Sequence, residues 1–267
     1  MSGSTGVRVG SAVVLGAALI GVLFFAPQSW TVALIVAVLL GGAWEWSGFL
    51  RVRSPLTRVM YVLLTGLWFV AASALAFRFE KLDLLLGLSG LWWLWALGWI
   101  VRGPASSGRW SAAVSGWLVL VPACVALLWI WVDPSYGLNW ILYVLFLVWA
   151  ADTGAYFAGR ALGRRKLAPR VSPGKTWEGA AGGLLLVAVL SLLAAPVLGA
   201  QRPVLLGVSI VVGVFSIVGD LTESLFKRHA GLKDSGRLIP GHGGLLDRVD
   251  SIMAAAPLLL LATRCLP

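Results

Sequence analysis

Residues 224–250 read SLFKRHAGLKDSGRLIPGHGGLLDRVD, and they crowd Lys227, Arg228, Lys233, Asp234, Arg237, His242, Asp247, Arg248 and Asp250 around five glycines. The chain on both sides is apolar enough to sit in lipid. Charged side chains at the edge of a membrane span are costly to keep there, so they mark function by default. Working outward from this stretch, the question for every other segment is whether it helps to place a charged substrate here.

The composition agrees with a membrane setting. The 267 residues are 59% hydrophobic and only 12% charged, against about 25% charged in a soluble domain, and mean hydropathy is +0.90. Apolar runs recur at close to the roughly 20 residues that cross a bilayer. The reading is an all-α polytopic integral membrane protein forming one membrane domain over 1–267. Residues 1–140 supply apolar, Trp-rich helices, and 141–267 supply catalytic helices and cytoplasmic loops. Nine spans are expected, at about 10–26, 30–50, 57–78, 83–101, 111–132, 137–159, 178–199, 203–228 and 246–265. Arg8 before an apolar run is like the start of a signal peptide, but no small-residue cleavage site follows and further spans come at once, so it is read as the first span.

Charge tests this reading. With the N-terminus inside and the C-terminus outside, 17 of the 21 Lys and Arg residues fall in cytoplasmic segments, as the positive-inside rule expects. Only Arg78, Lys81, Arg202 and Arg264 fall outside. The same rule accounts for the net charge of +10 without nucleic acid as a partner. Cys124 and Cys265 lie far apart in apolar runs and read as small buried hydrophobes. Fourteen of the 15 tryptophans precede residue 150 and read as interfacial belt or helix packing.

The 11 acidic residues carry the sharpest signal. Glu80, Asp83, Asp133 and Asp234 fall in loops or span ends, and Glu178 suits the positive end of a helix. Asp152, Asp220, Glu223, Asp247 and Asp250 lie within or at the inner ends of spans, and Glu45 lies inside the second. Asp220, Glu223, Ser224 and Lys227 are spaced to share one helix face, and Asp247 and Asp250 do the same. Carboxylates gathered there must be protonated, paired or bound to cations. Salt bridging would join Asp220 and Glu223 with Lys227, and Asp247 with Arg248. The alternative is a hard cation such as magnesium, with oxygen ligands shared with substrate phosphates, beside basic, glycine-rich loops that suit phosphate.

Other motifs fail. Residues 172–176, SPGKT, look like the tail of a P-loop, but the required first glycine falls at Pro169. His229 and His242 offer no zinc spacing. His242 is either a general base or, preferably, a loop or phosphate contact.

At these residues the sequence resembles the phosphatidate cytidylyltransferase (CDP-diacylglycerol synthase) family. The resemblance lies in 224–228 SLFKR, 233–236 KDSG and 240–250 PGHGGLLDRVD, with 151–160 ADTGAYFAGR and 172–179 SPGKTWEG upstream. It covers about residues 149–250 and departs from the pattern at Gly174, where a polar residue is expected. It implies that CTP and phosphatidic acid give CDP-diacylglycerol and pyrophosphate, with Mg2+ and a second, monovalent cation such as K+. By that resemblance Asp220 and Asp247 are metal-site carboxylates, with Glu223 and Asp250 as ligands or close neighbours. Lys227, Arg228 and Arg248 contact phosphates, and Ser224 and Asp152 join the substrate-binding set.

The chemistry is consistent with this. A lipid phosphate oxygen is already ionised near neutral pH, so the task is to bring two anions together and neutralise the leaving pyrophosphate. The loop at 160–175, with Lys166 and Lys175 among its six basic residues, is expected to hold the triphosphate. The active site is expected on the cytoplasmic face of the cell (inner) membrane, where acyl chains stay in lipid and CTP arrives from the cytosol. A homodimer is compatible with the sequence, though no dimer face is legible. The rivals are a CTP-dependent lipid kinase, a cytidylyltransferase for another lipid phosphate, and a cation-coupled transporter. The last should place its acids near the midplane and often shows inverted repeats.

Overall fold

The computed structural model describes residues 14, 16–52, 54–102, 108–239 and 243–265. Within them the chain forms α1 (Gly16–Phe25), α2 (Gln28–Phe49), α3 (Pro55–Arg78), α4 (Leu82–Arg102), α5 (Arg109–Val132) and α6 (Leu138–Leu162). A two-stranded hairpin follows, β1 (Lys166–Ala168) and β2 (Ser172–Thr176), and then α7 (Trp177–Ala194), α8 (Arg202–Ala230) and α9 (Leu246–Cys265). The protein is a multi-pass, all-α membrane protein. Seven helices, α2 to α8, are long and apolar enough to cross a membrane. The described part of α1 is short, and α9 carries Asp247, Arg248, Asp250 and Arg264 within its 20 residues.

Local chemistry sets the helix ends. Pro55 opens α3, where its missing N–H costs nothing. Thr176 caps α7 by accepting from Gly179 N at 3.1 Å. At the end of α8, Gly231 adopts φ 73°. The N–H of Gly231 then reaches Arg228 O and that of Leu232 reaches Lys227 O, a Schellman closure that relies on glycine's left-handed conformation. The expected seventh span, 178–199, stops earlier, at Ala194: Ala195 is still helical in backbone, but Pro196 has no N–H with which to continue the ladder. The segment expected as a loop at 160–175 holds most of the β1–β2 hairpin, which runs on to Thr176.

Consecutive helices run antiparallel, so the C-terminal ends of α2, α4, α6 and α8 meet the N-terminal ends of α3, α5, α7 and α9. Contacts mark this end. Arg58 Nε donates to Ser47 Oγ at 2.8 Å, Trp46 Nε1 to Ala112 O at 2.8 Å, and the rings of Trp99 and Phe226 meet edge to face. At the other end Arg264 pairs with Asp83 at 2.5 Å, near Arg78 and Lys81. The basic loops therefore gather where the charge count grouped them.

Two contacts position the site. Helix α6 lies on α7 through Gly154, Gly179, Gly182 and Gly183; a Cβ on Gly179 would sit 2.9 Å from Ala155 O, and one on Gly182 3.0 Å from Gly154 O. Small residues allow such backbone approach in membrane helices. Helix α9 runs through the middle of the bundle against α4, α5, α6 and α8, and its run from Ser251 to Pro257 is buried throughout. Its alanines at 254, 255 and 256 leave no bulk to hold neighbours away. Leucines such as Leu63, Leu67 and Leu91, more than half exposed, form the outer face, as lipid contact requires.

Candidate active site

The acids and bases of α6, β2, α7, α8 and α9 collect at one end of the bundle. An open cleft of about 480 Å³ lies there, lined among others by Asp152, Tyr156, Arg160, Lys175, Thr176 and Asp220, with Ala155, Leu167 and Ile217 as its apolar wall. Its shape depends on the close α6–α7 packing, which turns Asp152 and Tyr156 towards β2 and α8. Arg160 Nη1 donates to the Tyr156 hydroxyl at 3.0 Å. Lys175 Nζ stands 2.7 Å from Asp220 Oδ2, tying the hairpin to α8. Ser224 Oγ donates to the other Asp220 oxygen at 3.3 Å.

Deeper in, Lys227 joins α8 to α9. Its Nζ lies 2.5 Å from Asp247 Oδ1 and 3.3 Å from Glu223 Oε1. The second Asp247 oxygen accepts from Ser235 N, Ser235 Oγ and Gly244 N, each at 3.0 Å. Glu223 is 3% exposed, and among the described residues neither of its oxygens accepts a hydrogen bond; the Lys227 ammonium is in ion-pairing range without hydrogen-bond alignment. Glu223 and Asp250 line a small void of about 10 Å³. Asp250 Oδ1 accepts from Ser251 N at 2.7 Å.

Asp152, Lys175, Asp220, Glu223, Ser224, Lys227, Asp247 and Asp250 are therefore brought into one region. Arg228 is exposed and its Nε donates to Val171 O at 3.4 Å, placing it beside the hairpin turn. Lys166 is exposed on β1, and Arg248 is exposed in the first turn of α9. His242 lies outside the described residues. Two pairings differ from expectation: Asp220 meets Lys175 in place of Lys227, and Asp247 meets Lys227 in place of Arg248, while Glu223 pairs with Lys227 as expected. Asp220 and Lys227 share a face but stand seven residues apart, about 10 Å along the helix, and tertiary partners lie nearer to each.

Two further residues belong to the site, Glu45 and Ser235. Glu45 of α2 is 2% exposed, and its Oε2 accepts from Ser235 Oγ and Leu246 N, both at 2.9 Å. Its signal was present, since a lone carboxylate inside an apolar helix is functional by default. Ser235 gave no signal of its own. Glu178 also does more than face a helix dipole: its carboxylate accepts from Arg164 N at 3.1 Å and Arg165 N at 3.2 Å, which anchors the hairpin.

Among the described residues no three Asp, Glu, His or Cys side chains stand together as a ready ligand set for a metal. The donors fit a hard cation in their chemistry. All are carboxylate oxygens; Asp220, Asp247 and Glu223 stand in ion pairs with Lys175 or Lys227, and the buried Glu223 oxygens accept no hydrogen bond among the described residues.

The cytidylyltransferase family matches this chain over residues 6–266. The phosphatidate cytidylyltransferase of Haemophilus influenzae is 42% identical over 94% of this chain and 95% of its own length. That of Pseudomonas aeruginosa is 43% identical over 94% of this chain and 93% of its own. That of Bacillus subtilis is 48% identical over 47% of each chain. A match from end to end, running through the residues that converge on the cleft, makes this chain a member of the cytidylyltransferase family.

Proposed function

We propose that the protein transfers the cytidylyl group of CTP to phosphatidic acid, giving CDP-diacylglycerol and pyrophosphate for phospholipid synthesis. The observation that carries this reading is the convergence of Asp152, Lys175, Asp220, Glu223, Lys227 and Asp247 at one end of an apolar bundle, in a chain similar throughout to enzymes named for this reaction. Acids gathered at one end suit phosphate chemistry at a membrane face better than a transport path through the midplane.

In the reaction an ionised phosphate oxygen of the lipid attacks the α-phosphorus of CTP. A new P–O bond forms as the bond from the α-phosphorus to the α–β bridging oxygen breaks, and that oxygen leaves with pyrophosphate. No proton must be removed from the nucleophile. Lys175, at the mouth of the cleft, and Arg160 would hold triphosphate oxygens, with Lys166 and Arg228 nearby on the hairpin side and Arg248 on α9. Lys227, held between Glu223 and Asp247, would stabilise charge on the departing group. Asp220, Asp247 and Glu223 are the residues that would hold Mg2+, not as a preformed set of three but with substrate phosphate oxygens completing the donors, with Asp250 beside them and a monovalent ion such as K+ as a second charge. When bound, Mg2+ supplies charge neutralisation to the phosphates.

For the setting, we propose nine spans with the N-terminus inside and the C-terminus outside the cell membrane. The cleft then faces the cytoplasm, because its end of the bundle carries the excess of Lys and Arg. Acyl chains would remain beside the apolar helices while CTP enters from water.

The test is pyrophosphate release by purified protein in detergent with phosphatidic acid, CTP and Mg2+, each omitted in turn. Release that needs all three, with CDP-diacylglycerol as the lipid product, is the expected result. Release of CDP in place of pyrophosphate would make the protein a lipid kinase instead.

A further inference from the structure

Glu45 belongs to α2, far in sequence from every residue placed in the reaction so far. Its side chain is buried where α2 passes the loop between α8 and α9. There Oε2 accepts from the backbone N–H of Leu246, the first residue of α9, and from the hydroxyl of Ser235 in the loop, both at 2.9 Å. Ser235 in turn faces Asp247 Oδ2 with both its hydroxyl and its backbone N–H at 3.0 Å. The hydroxyl has a single proton, shared between the two carboxylates. The line of contacts then continues through Asp247 Oδ1 to Lys227 at 2.5 Å.

The loop is moulded on the same side chain. A Cβ on Gly236 would fall on the Glu45 carboxyl group, and one on Gly244 would come within 2.6 Å of Glu45 Oε2. Both glycines are therefore packed directly against Glu45. Its carboxylate also sits at the N-terminus of α9, where backbone N–H groups lack helical partners and negative charge is favoured. Two independent features, the cap on α9 and the seat for the loop, meet at one side chain.

We propose that Glu45 is a positioning residue for the transfer reaction: from α2 it fixes the start of α9 and, through Ser235, the orientation of the Asp247 carboxylate towards Lys227. This rests on the cytidylyltransferase reading above, and it brings the amino-terminal helices into the active site.

The experiment compares wild type with Glu45→Ala, Glu45→Gln, Ser235→Ala and the double variant Glu45→Ala/Ser235→Ala, with Asp83→Asn at the far end of the bundle as control. Pyrophosphate release gives kcat and KM for CTP and for phosphatidic acid. Hydrogen exchange reports separately on the amides of Ser235, Gly244 and Leu246. Glu45→Ala is expected to lower kcat by about 10- to 100-fold, as misplacement of a reacting constellation does, with both KM values within about twofold of wild type. Glu45→Gln keeps an acceptor oxygen and is expected to retain kcat within about threefold. The double variant should lose no more than the worse single variant, since both act through Asp247. Exchange at the three amides should quicken in Glu45→Ala and stay unchanged in the control.

If Glu45→Ala yields no folded protein, Ser235→Ala carries the decision, with the same loss in kcat at constant KM expected. Wild-type kcat in Glu45→Ala, or in Ser235→Ala where that variant decides, overturns the proposal, as does unchanged amide protection. Absence of pyrophosphate release from wild type would instead count against the reaction itself, and the exchange data would still judge the role of Glu45.

Discussion

Lys227 and Asp247, 20 residues apart in sequence, meet at 2.5 Å and join the last turn of α8 to the first turn of α9. The loop between them, rich in glycine and charge, is folded back so that its own Ser235 and Gly244 amides hold the second Asp247 oxygen. Asp247 is thus fixed on both oxygens, and Lys227 is held by two acids. Such a pair is organised to present charge at a set position.

Removing one partner separates structure from chemistry. Lys227→Met leaves the buried Glu223 and the part-buried Asp247 without their ammonium and should destabilise the protein by about 3–5 kcal/mol, read as a lower unfolding temperature in detergent. Asp247→Asn keeps the shape and an acceptor oxygen, so it should fold and insert while turnover falls by about 100-fold or more. Near-normal pyrophosphate release from Asp247→Asn would refute a role in transfer.

Lys175 and Asp220 are only partly buried, 25% and 29% exposed at their side chains, so their pair contributes about 1 kcal/mol or less to stability. Lys175→Ala should leave the unfolding temperature nearly unchanged and raise KM for CTP by about tenfold, the loss of one charge-assisted phosphate contact. Lys166→Ala, on the exposed strand outside the cleft lining, should raise it less. Unchanged KM in both variants would remove the hairpin from nucleotide binding.

The α6–α7 contact leaves no room for side chains. In Gly154→Ala the new Cβ would meet the backbone of Gly182 and lie 2.9 Å from Gly183 Cα, atoms that cannot swing aside. The helices must separate, at a cost of about 1–3 kcal/mol, and Asp152 and Tyr156 move with α6. Activity and unfolding temperature should therefore fall together. Gly207→Ala, whose Cβ would meet nothing within 4 Å, should leave both unchanged.

Chelation tests the cation. Treatment with EDTA should stop pyrophosphate release, and added Mg2+ should restore it, because oxygen-only donors bind this ion reversibly together with substrate phosphates. Activity that survives exhaustive chelation would show that the lysines and arginines alone carry the charge.

Much of this architecture could be read from residue order, because the forces involved act locally. Apolar runs near bilayer length located the helices; the expected spans 30–50 and 246–265 correspond to Gln28–Phe49 and Leu246–Cys265. Helical spacing put Glu223 and Lys227 on one face, and they do pair. The asymmetry of Lys and Arg grouped the loops that the structure brings to one end. Partner choice lay beyond that reading. Helical spacing pointed Asp220 towards Lys227, and only packing brought Lys175 from the hairpin to it instead. Glu45 stood in the sequence as a single acid in a greasy helix, 190 residues from Ser235 and 201 from Leu246. Sequence spacing carries distance only within one helix. The approach of α2 to the start of α9 depends on how side-chain volumes fill the bundle, and that is a property of the assembled fold alone.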